Sequence, residues 1–297
     1  MSLRAKPTRR QFLQTSSLWL GASVVSGVAQ NDNSLPVVRI GLVTDLHYAE
    51  KPPGGTRQYR ESAKKLNEAV ALFKQEKTHF VMELGDLVDA AQTAEEEIRF
   101  LKTINAVFTK VNCPRHYVVG NHCVATLTKA QFYQSSGAKN TGYYSWDHEG
   151  VHFIVLDACY RKDFKDYQPG NFAWTDTNIP PKELDWLTKD LAATKLPTVV
   201  FVHQRLDLEP GASPYAIKQS LEVRKVLEAS GNVRAVFQGH SHKNDLNTIG
   251  NIAYCTIAAM VEGSGETNSA YAILEVHQNG AINLKGFRQQ ESRTFPS

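Results

Sequence analysis

Short apolar runs rich in β-branched residues recur along the chain and predict strands. They lie at 37–43, 80–84, 117–119, 151–156, 199–202 and 233–237. Between several of these runs the apolar residues fall three or four positions apart, as Leu66, Val70 and Phe73 do. This spacing predicts amphipathic helices over 59–74, 92–109 and 181–193. The alternation of strands and helices predicts a layered α/β fold.

The last part of the chain breaks this alternation. Residues 251–258, 270–277 and 281–287 predict consecutive strands, and Asn279-Gly280 is a strong hairpin turn between the last two. Glu149-Gly150 predicts a second hairpin. Because hairpins pair strands antiparallel, we expect a mixed sheet or two packed sheets and not a purely parallel one.

The N-terminal segment has the pattern of an export signal. The sequence T-R-R-Q-F-L-Q over 8–14, with Arg9 and Arg10, resembles the bacterial twin-arginine motif, and a short apolar stretch over 16–29 follows it. The stretch ends in Gly27-Val28-Ala29, which suits signal peptidase, so the mature chain is expected to begin near Gln30. An uncleaved anchor is the alternative, but so short a run spans a bilayer poorly, since roughly 20 residues are needed.

Export implies a periplasmic or secreted protein that meets the twin-arginine machinery and retains no membrane span in its mature chain. A single domain over 30–297 is expected, because no internal repeat or long linker interrupts it. Four cysteines at 113, 123, 159 and 255 would then enter a compartment that permits disulfides, with three possible pairings. None lies in a C-x-x-C motif, so a zinc site held by thiolates is not expected.

Composition is that of an ordinary globular protein, with 42% hydrophobic and 21% charged residues. The formal net charge of +3 falls to −1 once the four basic residues of segment 1–29 are removed, since that segment has no acidic residue. Without an overall positive field in the remaining chain, nucleic acid is not the expected partner.

Polar groups that can bind metal ions follow five of the apolar runs. Ligands of α/β proteins gather at the carboxyl ends of strands, so groups distant in sequence can meet there. Glycines within these motifs would let the backbone approach a bound ion or phosphate. If the D-x-H and H-x-H stretches are extended, their alternate residues point the same way and can chelate one ion. The motifs are Asp45-Leu46-His47, Gly85-Asp86-Leu87-Val88-Asp89, Gly120-Asn121-His122, His203 and Gly239-His240-Ser241-His242.

The series D-x-H, G-D-x-x-D, G-N-H, H and G-H-x-H resembles the calcineurin-like metallophosphoesterases. The resemblance extends from Asp45 to His242 and implies a four-layer αββα sandwich, in which two mixed sheets are flanked by helices. It also implies two metal ions with Asp86 as the bridging ligand and His122 beside them as general acid or transition-state stabiliser. One ion would take Asp45, His47 and His242, and the other would take Asn121, His203 and His240.

Such a centre implies a metal-dependent phosphoric ester hydrolase. Two ions about 3.5–4 Å apart can bind a phosphoryl group, activate a bridging hydroxide and stabilise the leaving oxygen. Carboxylate, imidazole and amide ligands suit Mn, Fe or Zn without choosing among them. A non-catalytic scaffold of this fold would be expected to have lost a ligand or the catalytic histidine, whereas all seven ligands and His122 are present here.

The residue after the G-N-H motif departs from the family pattern. Many members have an aspartate there that orients the histidine, but this chain has Cys123. Either His122 is less basic than in those members, or another acid such as Asp89 orients it. Cys123 itself can also be a simple packing residue.

Substrate candidates lie near these motifs. Segment 158–180 lacks a helix or strand pattern and is therefore expected to be functional or disordered. Tyr48 follows a metal ligand, Arg205 follows His203 by two residues, and Arg161 lies in that segment. Aromatic rings there suit stacking on a nucleotide-like substrate, but a self-packed surface loop is the alternative. They are Tyr160, Phe164, Tyr167, Phe172 and Trp174.

The sequence Arg57-Gln58-Tyr59-Arg60-Glu61-Ser62 resembles the manganese-dependent ADP-ribose/CDP-alcohol diphosphatase branch, although that branch usually lacks a histidine at the position of His47. The resemblance favours hydrolysis of phosphodiester or pyrophosphate bonds in small substrates. A broad phosphomonoesterase is the alternative enzyme.

Overall fold

The structure is a computed structural model that describes residues 35–295 except 140, 141, 171 and 172. The predicted export segment 1–29 and Phe172 lie outside the described residues. The strands are β1 (Val38–Val43), β2 (Phe80–Glu83), β3 (Arg115–Tyr117), β4 (Tyr144–His148), β5 (Val151–Val155), β6 (Thr198–Phe201), β7 (Val233–Gln238), β8 (Asp245–Ile249), β9 (Ile252–Thr256), β10 (Ala270–Val276), β11 (Ile282–Arg288) and β12 (Arg293–Phe295). The α-helices are α1 (Ser62–Gln75), α2 (Ala94–Phe108), α3 (Lys129–Ser136), α4 (Pro181–Ala193) and α5 (Ser220–Ser230).

Two mixed sheets form from these strands. In the first, ordered β12-β11-β10-β1-β2-β3, the neighbours β1, β2 and β3 are parallel and the other pairs are antiparallel. In the second, ordered β4-β5-β6-β7-β9-β8, strands β5, β6, β7 and β9 run parallel, and the hairpin strands β4 and β8 lie at the two edges. The continuous burial of β5, β6 and β9 explains why their sequences are apolar without alternation.

The layers follow from which faces are apolar. Side chains of both sheets interlock in one central core, among them Ile40, Phe153 and Phe237. A second cluster fills the space between the first sheet and helices α1, α2 and α3, and a third lies between the second sheet and helices α4 and α5. This is the expected αββα sandwich, and the fold prediction is confirmed. The expectation of one domain over 30–297 stays a prediction.

Local predictions succeeded where the pattern was strong. Helix α4 has the predicted bounds, and both hairpins turn at the predicted dipeptides, with Glu149 and Gly150 at positive φ. Helices α3 and α5 and strands β8 and β12 were not predicted. Strand β3 ends at Tyr117, so residues 118 and 119 belong to the loop that leads to the G-N-H motif.

Two other expectations concern loops and cysteines. The described part of segment 158–180 contains no helix or strand, as predicted, and isolated bridges such as Tyr160 with Asp166 hold it together. All four cysteines are free, and Cys123, Cys159 and Cys255 are buried. No helix in the described part of the chain is long and apolar enough to cross a bilayer.

Candidate metal centre

The candidate residues meet where the two sheets end side by side. β1 leads to Asp45, β2 to Asp86 and, after a short loop, β3 leads to Asn121. From the second sheet, β6 leads to His203 and β7 leads to His240 and His242. Carboxyl ends of parallel strands thus supply every predicted ligand, as this class of fold favours.

The first group of ligand atoms consists of Asp45, His47 and His242. Oδ2 of Asp45 accepts hydrogen bonds from Thr44 Oγ1 at 2.7 Å and from the backbone N–H of His240 at 3.0 Å, whereas Oδ1 has no hydrogen-bond partner. The Nε2 atoms of His47 and His242 lie 3.1 Å apart, and Nε2 of His242 lies 3.3 Å from Asp45 Oδ1. The free oxygen and both imidazoles therefore point at one small volume.

The second group consists of Asp86, His203 and His240, with Asn121 lining the same cavity. Nδ1 of His203 lies 2.9 Å from the carbonyl oxygen of Leu84, so it carries the proton and leaves Nε2 as an acceptor. Nε2 of His203, Nε2 of His240 and Oδ1 of Asn121 are all buried without hydrogen-bond partners. Buried polar atoms are normally paired, so this set of unpaired acceptors fits a cation as their shared partner.

Asp86 joins the two groups. Its Oδ1 accepts the backbone N–H of His122 at 2.8 Å, which fixes the carboxylate. Its Oδ2 lies 3.2 Å from Nε2 of His203 and 3.6 Å from Nε2 of His47. One oxygen thus faces a histidine of each group, which is the position required of a bridging ligand.

Backbone strain is concentrated at these residues. Asp45, His47, Asp86, His240 and His242 all have φ between 45° and 67°, a region that non-glycine residues seldom adopt. The expectation that D-x-H is extended was therefore wrong, because left-handed turns aim Asp45 and His47 together. The H-x-H residues do not share one ion site, since His240 belongs to the second group and His242 to the first. Strain of this kind typically collects at functional sites.

Three motif glycines, Gly85, Gly120 and Gly239, are required by close packing, and a Cβ atom at Gly120 would lie 2.2 Å from Asp86 Oδ1. A Cβ atom at Gly85, which has a φ of +110°, would lie 2.3 Å from the His203 ring. A Cβ atom at Gly239 would lie 2.3 Å from Thr44 Oγ1 and 2.6 Å from Asp45 Oδ2. These glycines therefore leave room for neighbouring ligand side chains. Their closeness to a bound ion or phosphate stays a prediction.

The donor set fits divalent metal ions. Carboxylate and amide oxygens with imidazole nitrogens suit manganese, iron or zinc, and no thiolate faces the ligand groups of the described chain, since Cys123 packs in the core beneath α2 and α3. These residues would hold divalent ions, and Asp86 lies between the two groups.

Electrostatics differ between the two H-x-H histidines. Burial lowers the pKa of His240 to about 3, so this ring is neutral and ready to ligate. Burial opposes a charge on His242 as well, but Asp45 outweighs it and raises the pKa to about 9. A metal ion must therefore displace a proton from His242 at neutral pH. Glu262 fixes this ring, with Oε1 2.6 Å from Nδ1.

His122 is oriented by Asp89. Nδ1 of His122 lies 2.9 Å from Oδ1 of Asp89, which leaves Nε2 for the cavity. Burial lowers the pKa of His122, but the charge of Asp86 and the hydrogen bond to Asp89 outweigh burial and raise it. The structure thus supports a second acid, Asp89, as the group that orients His122, and it places Cys123 in the hydrophobic core.

Three residues proposed to bind substrate lie elsewhere. The Tyr48 ring is buried against Phe100, and its hydroxyl donates to Glu50. Arg161 pairs with Asp163 at 2.8 Å on the surface. The guanidinium of Arg205 is buried and bound to Asp207 at 2.5 Å and Asp245 at 2.6 Å. None of these three side chains lines the cavity at the metal ligands, so the structure does not support them as contacts for substrate.

Other residues line that cavity, which has a volume of about 330 Å³. Arg57, Trp174, Tyr215 and Ser241 line it beside the ligands. Arg57 and Trp174 were visible in the sequence, in the R-Q-Y-R-E-S motif and in segment 158–180. Neither Tyr215 nor Glu262 stands next to a motif, so no sequence signal pointed to them.

Comparisons with known proteins agree with this geometry. The family model described as calcineurin-like phosphoesterase matches residues 38–244. The manganese-dependent ADP-ribose/CDP-alcohol diphosphatase of Oryza sativa subsp. japonica is 23% identical, over 86% of this chain and 93% of that protein. The protein of the same name from Arabidopsis thaliana is 24% identical, over 88% of this chain and 97% of that protein.

A solved structure shares the fold. The crystal structure of a dimetal phosphatase from Danio rerio superposes with a TM-score of 0.77 at 20% identity and covers 88% of this chain and 99% of that one. The family match covers more than half of the chain, and the motifs that define the resemblance converge in space. The chain therefore belongs to the calcineurin-like phosphoesterase family and is a metal-dependent phosphoric ester hydrolase.

Proposed function

We propose that the protein hydrolyses the diphosphate bond of small nucleotide-like substrates, of the ADP-ribose and CDP-alcohol class, with two divalent metal ions. The observation that carries the proposal is the position of Asp86. Its Oδ2 faces His203 of one ligand group at 3.2 Å and His47 of the other at 3.6 Å, so both groups can bind one phosphoryl centre. The names of the plant relatives support manganese as the metal.

The ions, when bound, supply positive charge that polarises the phosphoryl group and activates water for attack. The chain supplies the remaining functions. His122, oriented through Nδ1 by Asp89, presents Nε2 to the cavity and can donate a proton to the leaving oxygen. Arg57 lines the cavity and offers a fixed cation for negatively charged oxygens of the substrate.

We expect a preference for diphosphates because Arg57 is a positive group separate from the metal ligands. A diphosphate places two phosphoryl groups next to one another, so one can lie at the metal ligands while the other meets Arg57. A monoester has a single phosphoryl group, so either the metal ligands or Arg57 would have no phosphoryl group to bind. The relatives, which this chain matches over most of their length, are named for diphosphate substrates.

We also propose that the protein acts outside the cytoplasm. The support is the R-R-Q-F-L motif at 9–13 with its apolar stretch and small-residue cleavage pattern. Twin-arginine systems move folded proteins, so the metal ions would be loaded before export.

The test is hydrolysis by the manganese-loaded protein of four compounds: ADP-ribose, CDP-choline, bis-p-nitrophenyl phosphate and p-nitrophenyl phosphate. We expect kcat/KM to be highest for the two diphosphates and lowest for the monoester. Asp86→Asn should abolish turnover of all four, and His122→Asn should reduce kcat by about 100-fold or more. Preference for p-nitrophenyl phosphate would replace the proposal with a phosphomonoesterase.

A further inference from the structure

Two large aromatic side chains are exposed at the rim of the metal cavity. Trp174 is 41% exposed and Tyr215 is 36% exposed, and both line the cavity. Their ring centroids lie 5.6 Å apart, and the centroids lie 5.6 Å and 5.4 Å respectively from the ring of His240. They therefore form a continuous aromatic surface beside one metal ligand, here called the aromatic rim (Trp174 and Tyr215).

Both segments that carry the aromatic rim are anchored. The carbonyl oxygen of Trp174 accepts a hydrogen bond at 3.0 Å from Oγ1 of Thr177, which is buried. The carbonyl oxygen of Tyr215 accepts the backbone N–H of Arg205 at 3.1 Å. The next residues, Ala216 and Ile217, are buried as well. The backbone at both residues is thus fixed, although the rings themselves are exposed.

Arg205 gains a role from this arrangement. Its guanidinium is held by Asp207 and Asp245, and its backbone pairs with the strand-like segment that carries Tyr215 and Ile217. The backbone of Arg205 therefore holds the segment of Tyr215 in place.

The opposite flank of the cavity is charged. The Nη1 atom of Arg57 lies 4.0 Å from Asp89, the partner of His122. Arg57 lines the same cavity as His122. A cation thus lies on the side of His122, whereas the aromatic rim lies on the side of His240. The cavity suits a ligand with phosphates at one end and a planar apolar group at the other.

We propose that the aromatic rim stacks on the nucleobase of the substrate and makes this enzyme select nucleoside-containing phosphates over base-free ones. This inference rests on the proposed function, whose substrate class it narrows. A base offers a flat face to Trp174 and Tyr215 while its polar edge stays in water, which matches rings that are only partly covered. Base–aromatic stacking strengthens binding by roughly 10-fold or more per base.

Binding of AMP and of ribose 5-phosphate to the manganese-loaded protein tests the proposal without turnover. Isothermal titration calorimetry should show AMP binding at least about 10-fold more tightly than ribose 5-phosphate. Trp174→Ala and Tyr215→Ala should each reduce this ratio, the double variant should bring it close to one, and Trp174→Phe should retain most of it. The matched control is Phe164→Ala, because Phe164 is 39% exposed in the same segment but does not line the cavity.

Turnover separates this proposal from the proposed function. For ADP-ribose, Trp174→Ala should raise KM about 10-fold with little change in kcat, and the KM of bis(ribose-5′) diphosphate should stay unchanged. If the protein hydrolyses both diphosphates but binds AMP and ribose 5-phosphate equally, the aromatic rim does not recognise a base. If it prefers AMP through Trp174 but hydrolyses no diphosphate, the site stands and the proposed function fails.

Discussion

Asp89 and His122 form a partly buried acid–imidazole pair, with Oδ1 of the aspartate 2.9 Å from Nδ1 of the histidine. They come from different motifs, G-D-x-x-D after β2 and G-N-H after β3, and the parallel pairing of those strands brings the motifs together. Asp89 thus supplies the acid that Cys123, the buried residue after the G-N-H motif, cannot supply.

Asp89→Asn should reduce kcat by about 10-fold or more, since the imidazole loses its orientation and the charge that stabilises its protonated form. Losing that carboxylate lowers the pKa of His122. Because a general acid works only while protonated, the alkaline limb of the pH–rate profile should move to lower pH. The measurement is kcat against pH at full manganese occupancy. Asp147→Asn is the control, because Asp147 makes a similar pair with His152, at 2.6 Å, outside the cavity. An unchanged profile would contradict the role of Asp89.

Arg57→Ala should raise the KM of ADP-ribose about 10-fold and change that of p-nitrophenyl phosphate much less, because only a diphosphate offers it a second phosphoryl group. Steady-state kinetics on both compounds measure the effect. Arg60→Ala is a matched control, since Arg60 lies in the same segment, is more exposed and pairs with Glu50. Equal losses on both compounds would place Arg57 at the single phosphoryl group common to them.

Removal of metal ions should lower the melting temperature by roughly 10 °C. Ions at a free concentration about 1,000-fold above their dissociation constant stabilise a fold by about 4 kcal/mol. In a domain of this size, each kcal/mol raises the melting temperature by about 2–4 °C. Without ions, left-handed residues and unpaired buried acceptors remain uncompensated. Differential scanning calorimetry with and without EDTA measures the shift. Re-addition of manganese should reverse it, and an unchanged melting temperature would show that the site binds ions only weakly.

Export should depend on the paired arginines. Replacing both Arg9 and Arg10 with lysine should leave the protein in the cytoplasm of a bacterial host, since the machinery recognises the arginine pair and not charge alone. Fractionation followed by immunoblotting detects the location, and the N-terminal sequence of the exported protein should begin near Gln30. A variant that reaches the periplasm as efficiently as the original would contradict the assignment.

The sequence was sufficient to predict that the candidate ligands converge, but not to predict the surface that surrounds them. Asp45 and His240 stand at the ends of apolar runs, so strand topology alone brings them together. Their φ values of 51° and 67° could not be inferred, because positive φ at a non-glycine residue arises from tertiary packing. The position of the Arg205 side chain could not be inferred for a similar reason. Its proximity to His203 in sequence said nothing of the two aspartates that bind its side chain, one of them 40 residues away.

Helix prediction failed at the two shortest α-helices of the described chain. Helix α3 is only eight residues long, and its start depends on a capping box between Thr128 and Gln131. Helix α5 starts without a side-chain cap. Burial against the sheets stabilises both, and that burial is a property of the assembled layers.

Each ligand group also draws on both sheets. Asp45 and His47 follow the first sheet while His242 follows the second, and Asp86 faces His203 and His240 across the same divide. A slide of one sheet against the other would therefore distort both groups at once. The interlocked core between the sheets resists such sliding, so its packing determines how far the ligand residues of one sheet can move relative to those of the other. For this reason, even conservative substitutions deep in that core, at Phe153 or Phe237 for example, should alter the distances between the ligand side chains of the two sheets.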